Sequence, residues 1–126
     1  MSMTRYTTQL AVSLAAIFVV ATATVLPLQP VFGEGGARRD VMRAEQHQQE
    51  ALKLAKDAVA HGKQGHAEAV VSNAEAALQH AQQVGKGPHV DAGVTELKNA
   101  IEHGKAGHTD VATKHADAAV MHLSEK

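Results

Sequence analysis

The chain has 126 residues, enough for one small domain, and no cysteine, which excludes disulfides and thiolate ligands. Its formal net charge is −1 with neutral histidines, and all three aromatic residues lie within the first 32 positions. A slightly acidic chain with no aromatic residue beyond Phe32 lacks the basic surface and the stacking side chains that nucleic-acid-binding proteins use.

The N-terminal segment is typical of a signal peptide. Arg5 supplies a positive start, and an uncharged stretch (LAVSLAAIFVV) follows it. We predict that residues 1–33 form the signal peptide, with cleavage after Gly33, and that the protein is exported to the periplasm. Residues 10–26 make 17 apolar or weakly polar positions, which is near the short limit for a spanning helix, so an uncleaved membrane anchor is the competing interpretation. After cleavage we expect no membrane association.

A first helix is predicted after a flexible N-terminal segment, residues 34–39. Asp40 suits the N-cap, and the Ala-, Leu-, Lys-, Glu- and Gln-rich stretch behind it favours a helix from about Val41 to His61. Gly62 is expected to end this helix.

Three more helices follow, joined by short loops. They are predicted from just after His66 to Val84, from Val90 to His103 with Gly104 as its end, and from Thr109 to Leu123.

Apolar residues in the predicted helices recur at helical spacing, and no segment alternates like a strand. We therefore predict an all-α fold over residues 40–126: an antiparallel up-down-up-down four-helix bundle built from two duplicated helical hairpins. Its core should be lean, because alanine fills most apolar positions.

The duplication is clearest in the histidines. Eight of the nine form two sets of four related by an offset of 42 residues, with His47, His61, His66 and His80 corresponding to His89, His103, His108 and His122. The turn segment His-Gly-Lys-x-Gly-His, starting at His61, recurs at His103. Chance does not readily keep four such positions, and neutral imidazole is the commonest side-chain ligand for transition metals. Metal binding is therefore the leading hypothesis.

The predicted bundle places these histidines at two levels along its long axis. One set should lie at the closed end of the hairpins, where the turns are: His61, His66, His103 and His108. The other should lie at the open end: His47, His80, His89 and His122. His115 falls midway along the fourth helix, on the flank of its apolar face.

Two other classes of function compete with metal binding. A di-iron oxidase needs Glu-x-x-His pairs, and a zincin protease needs His-Glu-x-x-His; the sequence has neither pattern, and we predict no enzyme. A histidine-rich, pH-responsive structural or adaptor bundle without a physiological metal stays open, because clustered imidazoles repel one another once protonated.

Several segments (AVAHGKQGH, LQHA, AIEHGKAGH and VATKHA) resemble the small metal-binding protein family, whose members are periplasmic, histidine-rich four-helix bundles that bind copper. The resemblance runs from about Gln46 to Leu123. It implies that the protein sequesters, buffers or delivers divalent metals, copper(II) (Cu²⁺) foremost, with Ni²⁺, Zn²⁺ and Co²⁺ as further ions. It also implies that nine residues are metal ligands: His47, His61, His66, His80, His89, His103, His108, His115 and His122.

The chain departs from the family pattern at mid-height. Leu54, Asn73 and Glu96 stand where the family has further histidines, which favours metal sites at the two ends over one in the middle. The expected partners are metal ions alone, and the expected state is a monomer that metal could bridge into an oligomer.

Overall fold

The computed structural model describes residues 33–125, in which four helices are joined by three short turns. Helix α1 spans Gly33–Lys63, α2 spans Ala67–Val84, α3 spans Pro88–Lys105 and α4 spans Thr109–Ser124. This part of the chain contains no β-strand. The all-α, four-helix prediction is confirmed.

The helices pack as a bundle in which each one has two main neighbours. Both α1 and α3 pack against α2 and α4. His47, in the first half of α1, meets His80 near the end of α2. Likewise, the side-chain amide of Gln48 donates a hydrogen bond to the carbonyl oxygen of Leu123, near the end of α4, over 3.0 Å. These contacts place the first half of α1 beside the C-terminal ends of α2 and α4.

The core between the helices is lean, as expected. Its fourteen buried hydrophobic residues include ten alanines, and its largest fully buried side chains are Leu97, Leu123 and Val70. Alanine lets helices approach closely but removes little apolar surface from water. A bundle of this kind has little stability in reserve, so a ligand that binds only the folded state would stabilise it appreciably.

The predicted start of the first helix is wrong. Helix α1 begins at Gly33 rather than Val41, so the segment 34–39, expected to be flexible, is helical. Asp40 lies inside the helix, 4.0 Å from Arg43, and is not its N-cap. The alanine and two arginines just before Asp40 favour helix, and the segment has no proline, but the helix also continues through Gly35 and Gly36, which disfavour it.

The predicted roles of the turn glycines are also wrong. Gly62 and Gly104 are buried inside their helices, and a Cβ atom at either position would overlap a side chain of the other hairpin. The left-handed turn positions belong instead to Gly65 and Gly107, each with φ +79°. In each His-Gly-Lys-x-Gly-His segment, the first glycine therefore permits close helix packing and the second permits the turn.

Residues 1–32 of the predicted signal peptide lie outside the described residues, and only Gly33 falls within them. Among the helices of residues 33–125, none combines the length and apolar character that crossing a membrane requires.

Candidate metal site

The open end of the first hairpin holds a pair of imidazoles. His47 of α1 and His80 of α2 bring their Nδ1 atoms to 3.0 Å, with ring centroids 5.3 Å apart. Both side chains are half-buried between the two helices. At this distance one Nδ1 donates and the other accepts, so the pair shares one hydrogen when both rings are neutral.

The open end of the second hairpin holds the corresponding pair, His89 and His122, together with a carboxylate. Glu125, immediately after α4, places Oε2 2.5 Å from Nδ1 of His89. Ligand atoms of these three residues all lie within 4.8 Å of one another. Within residues 33–125 they are the one group of three or more metal-ligating side chains drawn together this closely.

The solvent exposure of this cluster suits an exchangeable ion. The side chain of His89 is 45% exposed and that of Glu125 is 53% exposed. An ion could therefore enter from solvent without opening the bundle. Two imidazole nitrogens and a carboxylate oxygen are ligands that Cu²⁺, Zn²⁺, Ni²⁺ and Co²⁺ all accept, and they leave further coordination positions for water.

The closed-end histidines lie in two pairs, one at each turn. The ring centroids of His61 and His66 are 6.0 Å apart, and those of His103 and His108 are also 6.0 Å apart. The two turns therefore hold their histidine rings at the same spacing. The four rings do not form one compact group in the described structure, so a single four-histidine site at this end stays a prediction.

Local backbone structure fixes where these closed-end rings stand. His66 and His108 occupy the N-cap positions of α2 and α4, with nearly identical backbone angles, and their rings are exposed. His61, by contrast, is half-buried, and its Nδ1 atom is shielded from solvent without a hydrogen-bond partner. A metal ion bound at that nitrogen would supply the missing partner.

The middle of the second hairpin contains two contacts made by His115, one of them with Glu96, which the sequence places opposite it. His115 of α4 places Nδ1 2.6 Å from Oε2 of Glu96 on α3. The His115 ring also stacks on that of His103, with centroids 5.2 Å apart and an interplanar angle of 4°. This pair of imidazoles lies between the turn and the middle of the hairpin.

Sequence reasoning missed Glu125 as a candidate ligand. The available signal was its spacing, three residues after His122, which places the two side chains on one side of a helix end. Comparing positions 42 residues apart did not mark Glu125 as a ligand, because the equivalent residue in the first half is Gln83. Glu68 and Asp110, the carboxylates nearest the closed-end histidines in sequence, are instead first-turn residues of α2 and α4 and belong to no three-ligand group within residues 33–125.

The chain matches one family of known proteins. No curated protein matches the chain. The family described as small metal-binding protein matches residues 32–126, well over half of the chain and all four helices. Together with the two paired-histidine ends, this match identifies the chain as a member of the small metal-binding protein family.

Proposed function

We propose that the protein binds divalent transition-metal ions, copper(II) foremost, through its histidine clusters, and that it sequesters, buffers or delivers copper in the periplasm. The observation that carries the proposal is the cluster of His89, His122 and Glu125, whose ligand atoms lie within 4.8 Å of one another. Membership of a metal-binding family supports the same conclusion. No catalytic role is proposed.

The choice of copper rests on the ligand types. The candidate sites offer imidazole nitrogens with an occasional carboxylate and no thiolate. For such nitrogen and oxygen ligands, affinity rises from cobalt(II) through nickel(II) to copper(II) and falls again at zinc(II). Nickel, zinc and cobalt are therefore ions that the same sites would hold more weakly.

A role in holding and releasing metal, rather than keeping it permanently, follows from the position of the sites. The clusters lie at helix ends and on helix flanks, and the described structure has no buried polar or charged side chain. A permanently bound structural ion is usually enclosed by four protein ligands. Exposed sites with two or three protein ligands suit an ion that is taken up and passed on.

The test is equilibrium dialysis of the purified protein against micromolar Cu²⁺, Ni²⁺, Co²⁺ or Zn²⁺, with elemental analysis. We expect at least stoichiometric copper at pH 7.5, tighter than the other ions. Occupancy should fall steeply below about pH 6.5, because protonated imidazoles stop being ligands. Substoichiometric copper at pH 7.5 contradicts the proposal, and copper binding that is unchanged at pH 5 contradicts imidazole ligation.

The same preparation separates this function from a pH-responsive structural bundle. Far-UV circular dichroism of the metal-free protein between pH 5 and pH 8 measures its helix content directly. A metal-binding protein should respond to copper at constant pH. A purely pH-responsive one should change with pH alone and ignore copper.

A further inference from the structure

The contact between Glu96 and His115 is the most sheltered polar side-chain contact made by any histidine with a carboxylate in residues 33–125. The Glu96 side chain is 25% exposed and that of His115 is 29% exposed, against 45% and 53% for His89 and Glu125. Their 2.6 Å separation joins Oε2 of Glu96 to Nδ1 of His115. Shielding from water makes such a hydrogen bond stronger and holds the ring more firmly.

This contact determines which nitrogen of His115 can bind an ion. A carboxylate only accepts hydrogen bonds, so Nδ1 of His115 must carry the hydrogen and donate it. In the neutral ring, Nε2 then keeps its lone pair. Metal-ligating histidines are commonly held in this way, with a carboxylate on one ring nitrogen and the metal on the other.

A second imidazole lies beside the one that Glu96 holds. The His103 ring is nearly parallel to that of His115, with centroids 5.2 Å apart. The two rings come from neighbouring helices, α3 and α4, and both are half-buried. Glu96 itself is on the Nδ1 side of His115, and within residues 33–125 it joins no group of three converging ligand atoms.

We propose that His115, with the His103 ring beside it, is a metal ligand in the second hairpin, and that Glu96 is its positioning residue. Glu96 fixes His115 as the Nδ1–H tautomer and leaves Nε2 as the ligand atom. The inference rests on the proposed function and adds to it a site at mid-height. The sequence did not favour a site there, because Leu54, Asn73 and Glu96 stand where further histidines would be. Glu96 is not a ligand of this site.

The first hairpin lacks the contact between a carboxylate and an imidazole that Glu96 and His115 make in the second. By the offset of 42 residues, Leu54 corresponds to Glu96 and Asn73 to His115. Leu54 packs against the apolar core, and the Asn73 amide donates to the Ala69 carbonyl over 2.9 Å. The first hairpin therefore has neither the carboxylate nor the second imidazole, and only His61 remains to match His103.

The first measurement uses the metal-free protein. Long-range ¹H–¹⁵N NMR spectra distinguish the two neutral tautomers of each histidine. We expect the Nδ1–H form for His115 in the natural protein and a loss of that preference in Glu96→Leu, which installs the residue of the first hairpin. Glu96→Gln should keep part of it, because an amide oxygen still accepts a hydrogen bond. Glu102→Gln, at an exposed glutamate of the same helix, is the matched control and should change nothing.

The second measurement is a copper titration of the natural protein, of the same three variants and of His115→Gln. His115→Gln should lose a single equivalent of bound copper, and Glu96→Leu should weaken that equivalent about 10- to 100-fold. If Glu96→Leu leaves both the His115 tautomer and the copper isotherm unchanged while copper still binds, this inference alone is overturned. If the natural protein binds no copper, the proposed function fails and the inference fails with it.

Discussion

Gly62 of α1 packs against Thr113 of α4 so closely that no side chain fits between the two helices. A Cβ atom at Gly62 would overlap the Thr113 hydroxyl and lie 2.9 Å from its Cβ. The same contact recurs 42 residues later, where a Cβ atom at Gly104 would lie 2.6 Å from Cγ2 of Val71. The two hairpins therefore pack against each other through a repeated glycine contact near their turns.

This contact predicts a large effect of a small substitution. Gly62→Ala should lower the free energy of unfolding by about 1–3 kcal/mol through overpacking. Thr113 cannot easily turn away, because its hydroxyl donates to the Thr109 carbonyl over 2.6 Å. Thermal unfolding followed by circular dichroism should show a drop of roughly 4–8 °C in Tm for each kcal/mol.

Gly36→Ala is the matched control for this prediction. Gly36 is also in α1, but nothing lies within 4 Å of a Cβ atom placed there. Alanine should raise stability slightly at that position, by about 0.5–1 kcal/mol at most, because it favours helix over glycine. Equal shifts in Tm for the two variants would show that the contact with Thr113 is not tight.

Helix number, helix type and the pairing of histidines within each hairpin were predictable from the sequence. The apolar spacing fixes the helical faces. His47 lies as many residues before His61 as His80 lies after His66, which brings His47 and His80 to one level. The 3.0 Å contact between their Nδ1 atoms confirms this pairing. Local periodicity is enough for such a prediction, because a short turn leaves a hairpin little freedom.

The role of each glycine and the grouping of histidines from different hairpins were not predictable in the same way. Gly62 and Gly65 both suit a helix end by residue type, and only the position of Thr113 on the other hairpin separates their roles. In the same way, the distance between the His61 and His103 turns depends on how the hairpins pack. Periodicity within one hairpin contains no information about that packing.

The open end of the second hairpin should contribute more to copper-induced stabilisation than either closed-end pair. A ligand at a hundredfold excess over its Kd stabilises the folded state by about 2.7 kcal/mol. The double variant His89→Gln/His122→Gln should lose more of the resulting rise in Tm than His61→Gln/His66→Gln, because the cluster with Glu125 has three ligands.

The same two double variants should have nearly the natural Tm without metal. Their side chains lie on flanks or ends of the bundle and fill no core position, and surface substitutions usually change stability by no more than about 0.5 kcal/mol. Differential scanning fluorimetry with and without copper measures both quantities. An equal loss of copper response in the two variants would argue against a dominant site at His89 and His122.

The carboxylate of Glu125 should determine how far the two open ends differ. Glu125→Gln removes the negative ligand and should weaken Zn²⁺ and Ni²⁺ at this end by about tenfold or more. The reciprocal change, Gln83→Glu, places a carboxylate at the equivalent position of the first hairpin, three residues after His80. We expect it to strengthen metal binding at His47 and His80. Isothermal titration of each variant, with the natural protein as reference, measures both changes in affinity. An affinity that is unchanged or higher in Glu125→Gln would exclude Glu125 as a ligand.

The mid-height arrangement of the second hairpin should be transferable to the first. The double variant Leu54→Glu/Asn73→His reproduces Glu96 and His115 at the positions 42 residues earlier, beside His61. His61 already has an Nδ1 atom shielded from solvent without a partner, and a metal ion shared with the new imidazole would supply one. Copper titration should show a single additional equivalent.

Asn73→His alone should bind that equivalent more weakly, because no carboxylate fixes the tautomer of the new ring. Leu54→Glu alone should add none and should lower the Tm, since Leu54 packs against the core. If the double variant keeps its helix content but binds no more copper than the natural protein, a carboxylate with two imidazoles at this height is not sufficient to make a site.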